Sequence, residues 1–204
     1  MILDPTPGHI KQAVDCIKKG GLIAYPTETV YGLGVDPFNA QALARIFATK
    51  GRSAQKALIV LLRHKSDLST LTSEIPPIAE KVMNTFWPGP LTLIFKANPK
   101  LPQELLGGRD TIALRHSSAS IAQSLVETLG GPLTSTSANV SEQPPAQSAQ
   151  EVHMQLGSHL DLIIDGGPSP QSQPSTILDI SKAPPIILRT GMITKEELTP
   201  FVHK

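Results

Sequence analysis

Apolar residues recur at helical spacing near the start of the chain, at Ile10, Ala13, Val14 and Ile17, and the pattern stops at Gly20-Gly21. This predicts a helix followed by a strand over Leu22-Ile23-Ala24-Tyr25, closed by Pro26. Asn39 is placed to cap a second helix that carries Leu43, Ile46 and Phe47 and ends near Lys50-Gly51. Short apolar runs then predict buried strands at Leu58 to Leu62, Leu91 to Phe95, Thr111 to Arg115, Leu162 to Asp165, Ser175 to Ile180 and Ile186 to Arg189. Helical periodicity returns over Ile75 to Phe86 and Ile121 to Leu129, briefly near Val152 to Leu156, and again after Thr194. Such alternation with a strand-rich final third predicts an α/β fold, one domain with a twisted mixed sheet flanked by helices.

Composition narrows the function. The 204 residues suit a single domain, with the 19 prolines gathered mainly in connections such as Pro144-Pro145 and Pro184-Pro185. Phe, Trp and Tyr make up only 4 % of the chain, which argues against base stacking on aromatic platforms. A net charge of +1 gives no global attraction to nucleic acid or anionic membrane. Locally the balance differs: no acidic residue lies between Asp36 and Asp67, whereas Arg45, Lys50, Arg52, Lys56, Arg63 and Lys65 do. That segment leaves room for weak RNA binding. No apolar stretch approaches the roughly 20 residues that span a bilayer, and the start lacks a basic region followed by an apolar run. The expectation is a cytoplasmic protein without a membrane partner. Single Cys16 excludes an internal disulfide and is expected as a small helix-borne core residue. The six histidines lack metal spacing, so no metal ligands are assigned. A phosphate-cradling G-x-x-x-x-G-K-[ST] loop, a dinucleotide fingerprint and a G-x-S-x-G elbow are all missing from the sequence.

Three groups of residues carry candidate chemistry. Lys50 and Arg52 diverge on a continuing helix but share one side of an extended exit, which Gly51 permits. They would then clamp a polyphosphate; a solvated helix end, where lysine suits the dipole, is the alternative that spacing alone favours. Arg115 and Arg189 each end an apolar strand, where arginine can grip a carboxylate or phosphate through two hydrogen bonds, or simply reach water. The run Thr134-Ser135-Thr136-Ser137-Ala138-Asn139 offers uncharged hydroxyls and an amide suited to ribose, phosphate oxygens or an amino-acid hydroxyl, or forms a polar turn.

Five phrases in order resemble the YrdC-like threonylcarbamoyl-AMP synthase family in its short bacterial form. They are Pro26-Thr27-Glu28-Thr29-Val30-Tyr31-Gly32-Leu33-Gly34, Lys50-Gly51-Arg52, Ser135-Thr136-Ser137-Ala138-Asn139, Ser175-Thr176-Ile177-Leu178-Asp179, and Arg189. The resemblance implies one YrdC-like domain over residues 8–192 around a central cavity, with no separate C-terminal domain. It implies an L-threonylcarbamoyladenylate synthase, a nucleotidyltransferase that joins L-threonine, bicarbonate and ATP and releases pyrophosphate. The product would serve N6-threonylcarbamoyladenosine formation at position 37 of tRNA, passing to a threonylcarbamoyl transferase.

By the same resemblance, Lys50 and Arg52 are the catalytic cations and hold the triphosphate with Lys56, while Mg2+ accompanies ATP. Arg115 would hold the carboxylate of threonine, and Thr29, Ser135 and Ser175 would contact that substrate. Thr111, Ser137, Asn139 and Arg189 would face the nucleotide. The family usually carries a proline two residues after the arginine, where this chain has Ser117 following His116, and some members carry a histidine around Leu61. Glu28 is a candidate base only if its side chain enters the cavity. An RNA-binding paralogue without synthase activity is the alternative.

Overall fold

The computed structural model describes residues 1–51, 53, 55–170 and 173–202. A short strand β1 (Ile2–Leu3) precedes helix α1 (Pro7–Lys18), whose first turn is capped by the Thr6 side chain accepting from the His9 amide. The helix buries Ile10, Ala13, Val14 and Ile17, the stripe that its periodicity marks. Strands β2 (Ile23–Tyr25) and β3 (Gly32–Gly34) pair antiparallel and lead to α2 (Ala40–Lys50). Asn39 caps α2 by accepting from the Ala42 amide, and Gly51 ends it in the left-handed conformation at φ 58°. Lys50 thus occupies the last helical position. The elements β4 (Ile59–Leu61), α3 (Leu68–Leu71), α4 (Pro77–Phe86), β5 (Leu91–Lys96), α5 (Gln103–Leu106), β6 (Thr111–Arg115) and α6 (Ser120–Leu129) follow. The final part holds β7 (Leu133–Thr134), β8 (Thr136–Ser137), α7 (Ala149–Leu156), β9 (Leu162–Ile164), β10 (Thr176–Asp179), β11 (Ile186–Arg189) and α8 (Lys195–Val202).

The α/β class with helices around mixed strands holds, but the strands divide between two sheets where the periodicity suggested one. Among the described residues the first sheet runs β1-β9-β2-β3-β8 and the second β11-β10-β5-β6-β4-β7. The physical reason is local. Leu133–Thr134 pairs with β4, then the chain changes partner at Ser135 and Thr136–Ser137 pairs with β3. Hydrogen bonds from the Thr134 amide to Val35 O (3.2 Å), the Ser135 amide to Ile59 O (2.8 Å) and the Ala138 amide to Tyr31 O (2.8 Å) stitch both sheets to this one segment.

Two apolar clusters hold the layers. Helices α1 and α6 pack Val14, Ile17, Leu125 and Val126 against Ile23, Ile164 and Leu133, while α2 and α4 bury Leu43, Ile46, Val82 and Met83 against Val60, Leu93 and Leu114. Each such fully buried aliphatic side chain contributes about 1.5–3 kcal/mol. Between the sheets remains a cavity that this aliphatic packing leaves open.

Candidate active site

The cavity has a volume of about 150 Å³, and its walls come from both sheets: the β2–β3 connection, β4, the end of β6, the β7–β8 crossing, the lead into β10, and the end of β11. Gly32 forms part of its floor, where a side-chain carbon would lie 2.8 Å from Ser135 Oγ. The β2–β3 connection is shaped by Thr27. Its hydroxyl donates to Val30 O at 2.7 Å and accepts from the amides of Thr29 (3.2 Å) and Val30 (3.3 Å), a tight hydroxyl-closed turn. That turn directs Thr29 into the cavity. Tyr31 also lines it, but its hydroxyl donates to Gly167 O at 2.7 Å. Burial pushes the Tyr31 phenol up to about 12, so it stays protonated at neutral pH.

Arg115 is the buried cation of the cavity. Its Nε donates to Gly89 O at 3.2 Å and Nη1 to Thr29 Oγ1 at 3.1 Å. Nη2 lies 2.8 Å from Glu28 Oε1, an ion pair in which no well-aligned hydrogen bond reaches that nitrogen. That nitrogen is itself buried against Glu28, on the side of the guanidinium away from the cavity wall residues. Glu28 lies outside the cavity wall and backs Arg115, its carboxylate also accepting from the Ser117 hydroxyl and the Ser118 amide (3.0 Å). Burial raises its pKa, yet the charge of Arg115 and these hydrogen bonds outweigh burial and hold it below the ordinary glutamate value. Glu28 therefore orients the arginine and does not stand as a base toward the cavity. The His116-Ser117 pair supports the same arrangement: His116 O accepts from the Gly89 amide at 2.8 Å, and Ser117 fixes Glu28.

Opposite Arg115, Ser175 precedes β10 and its hydroxyl lies 2.8 Å from that of buried Thr92. Arg189 donates to Ser175 O through Nε (3.1 Å) and Nη2 (2.8 Å), and Nη2 also reaches Ser175 Oγ at 3.1 Å. The loop after β11 packs closely behind them, so a side-chain carbon on Gly191 would lie 2.1 Å from Pro174 O.

Lys50 has only 2 % of its surface exposed and points into the β8 exit. Its ammonium donates to Ser137 O, to Asn139 O at 2.7 Å and to Asn139 Oδ1 at 3.2 Å. The Asn139 amide nitrogen then donates to Val140 O (2.9 Å) and Gln143 O (2.6 Å), closing the turn. Of the residues expected at the site, Thr29, Arg115, Ser135, Ser175, Ser137 and Arg189 all line this cavity. Lys50 and Asn139 stand behind its Ser137 wall. Lys56 is exposed in the turn before β4, and Thr111 starts β6, four residues from Arg115 and so roughly 13 Å along the strand. Neither Lys56 nor Thr111 lines the cavity. Arg52 lies outside the described residues. Sequence reasoning did not find the supporting partners Thr92 and Ser117 or the wall residues Pro145 and Pro174. The alternation Thr27-Glu28-Thr29 was the one available sign that Glu28 points away from Thr29. Cys16 is partly buried on α1, and desolvation pushes its thiol up.

The fold and the cavity define an α/β protein whose central cavity is lined by a buried arginine and several hydroxyls, chemistry suited to a small anionic ligand. A family model described as "Telomere recombination", covering Sua5, YciO and YrdC proteins, matches residues 15–191, and the chain belongs to that family. It is 40 % identical over 193 residues to the threonylcarbamoyl-AMP synthase of Pyrococcus abyssi, covering 95 % of this chain and 57 % of that relative. The chain thus spans little more than half the length of this relative. With the threonylcarbamoyl-AMP synthase of Halorhodospira halophila it shares 37 % identity over 173 residues, 85 % of this chain and 91 % of the relative. Among solved structures, P. abyssi Sua5 complexed with L-threonine superposes with a TM-score of 0.96 at 37 % identity, over 100 % of this chain and 61 % of that one. Escherichia coli YciO gives a TM-score of 0.86 at 33 % identity, over 98 % and 97 % of the two chains.

Proposed function

We propose that this chain is a threonylcarbamoyl-AMP synthase, making L-threonylcarbamoyl-AMP and pyrophosphate from L-threonine, bicarbonate and ATP. The observation that carries this is the buried Arg115, which lines one cavity with the hydroxyl residues Thr29, Ser135 and Ser175. That arrangement suits an amino-acid carboxylate, and relatives at 37–40 % identity bear the synthase name.

The amine of threonine and bicarbonate form a carbamate with loss of water. A carbamate oxygen then attacks the α-phosphorus of ATP, the bond from that phosphorus to the α,β-bridging oxygen breaks, and pyrophosphate leaves with its β,γ-bridge intact. Two anions must approach each other, so the work of the protein is to position them and offset their repulsion. Arg115 fixes the carboxylate end, and Arg189, Lys50 and Arg52 supply positive charge toward the nucleotide. Bound with ATP as part of that substrate, Mg2+ would supply further positive charge to the departing pyrophosphate. Among the described residues no group of three or more His, Cys, Asp or Glu side chains could hold it as a resident ion. The carbamate is already anionic and needs no enzyme base. Threonine is told from serine by packing of one methyl, worth about 1–3 kcal/mol, so modest use of serine follows. The product would pass to a threonylcarbamoyl transferase acting on tRNA.

Purified protein given ATP, Mg2+ and bicarbonate is expected to release pyrophosphate only when L-threonine is added. Folded protein that shows no threonine-dependent release would refute the assignment.

A further inference from the structure

Val30 O can only accept a hydrogen bond, and Thr27 Oγ1 lies 2.7 Å from it. A threonine hydroxyl has a single proton, so the Thr27 proton is committed to Val30. The 2.8 Å contact between the hydroxyls of Thr27 and Thr29 then takes its proton from Thr29, with the longer contacts from the Thr29 and Val30 amides sharing the other Thr27 lone pair. Arg115 Nη1 meanwhile donates into Thr29 Oγ1 at 3.1 Å. The hydrogen bonds therefore run in one direction, from Arg115 to Thr29 to Thr27 to Val30. Both threonines are nearly fully buried, at 3 % and 2 % exposure, so the order is set by these protein partners and by whatever enters the cavity they line. What Thr29 presents to the cavity is one lone pair and no proton.

We infer that Thr27 is a specificity-determining positioning residue: by taking the Thr29 proton, it makes the site demand a hydrogen-bond donor where Thr29 meets the substrate. The inference rests on the reading that Thr29 lies against L-threonine. The matching group is the α-nitrogen, which keeps at least one N–H as ammonium, as free amine and as carbamate. An obligate acceptor can thus follow that nitrogen through the whole sequence. A group that only accepts, such as the carbonyl of the corresponding 2-oxo acid, would set two lone pairs against each other in a buried site.

The test is calorimetric titration of the intact protein with L-threonine and with 3-hydroxy-2-oxobutanoate. Wild type is expected to favour threonine by at least about tenfold, the size of one hydrogen bond made to a charged group. Thr27→Val frees the Thr29 proton, so threonine binding should weaken about tenfold while the preference over the 2-oxo acid narrows. Thr27→Ser keeps the acceptor and should restore the preference. Val and Ser variants weakened alike with the wild-type preference intact would make Thr27 a purely structural turn residue and overturn the inference. Wild type that shows the preference yet releases no pyrophosphate with threonine would support the hydrogen-bond order while removing the synthase assignment. Wild type that binds no threonine would overturn both.

Discussion

Arg115 and Lys50 are both buried, but they are anchored by different chemistry. Arg115 is held by side chains, with the Glu28 carboxylate behind it and the Thr29 hydroxyl beside it, and by Gly89 O. Lys50 donates to the backbone oxygens of Ser137 and Asn139 and to the Asn139 amide oxygen. One anchor depends on a titratable charge brought from a distant part of the chain. The other uses neutral oxygens of a turn that the lysine itself holds to the end of α2. A planar guanidinium can serve several partners and keep a fork for a carboxylate, whereas an ammonium radiates three donors from a point. The Arg115 end of the cavity is thus tuned by electrostatics and the Ser137 wall by turn geometry.

That contrast breaks most sharply when a cation is removed. Arg115→Ala leaves the Glu28 carboxylate buried beside Ser117 without its partner, and a loss of about 3–5 kcal/mol in stability is expected. Adding Glu28→Gln should recover part of it in urea unfolding; a double variant no more stable than Arg115→Ala would show that the pair is not coupled. Lys50→Met should cost less, about 1–3 kcal/mol, because the contacts described for its ammonium are to amide and carbonyl oxygens. Its mark should be faster hydrogen exchange at residues 138–141, including the Ser141 amide that donates to Lys50 O at 2.9 Å. Unchanged exchange there would separate Lys50 from the turn.

The smallest effect is on acid sensitivity. The Glu28 pKa is lower in the folded protein than in the unfolded chain, so its contribution is fully present above the ordinary glutamate value and is lost as pH falls through the lower folded value. Wild type should therefore lose its stability advantage over Glu28→Gln as thermal unfolding is followed down from neutral pH. Parallel pH curves would contradict the ion pair's role.

Elements with strong periodicity were legible from sequence. Helix α1, the Asn39 cap, the Gly51 stop and strand Thr111–Arg115 occur where patterning puts them, and Ile186–Arg189 forms a strand too, but at a sheet edge with Ile186 and Leu188 exposed, not buried as its apolar run predicts. Strand Gly32–Gly34 was not, because two glycines carry no alternation and its existence depends on pairing with β2 and β8. The division into two sheets was hidden for the same reason, since it turns on a change of partner at Ser135 and not on composition. In the site, motif order named Thr29, Arg115, Ser135, Ser137, Ser175 and Arg189, which the fold gathers around one cavity. The role of Glu28 lay beyond local pattern: Ser117, which fixes it, is 89 residues away. Lys50 shows the opposite case, a residue marked by its motif whose contacts, 87 residues away at Ser137, only the tertiary structure reveals.

The division of the cavity is tested most directly by titrating L-threonine and ATP separately into folded Arg115→Ala and Lys50→Met proteins. Loss of the carboxylate fork should weaken threonine binding about tenfold or more and change ATP binding little, with the reverse ordering in Lys50→Met. Equal losses of both ligands in Arg115→Ala would contradict the assignment of that end of the cavity to the amino acid.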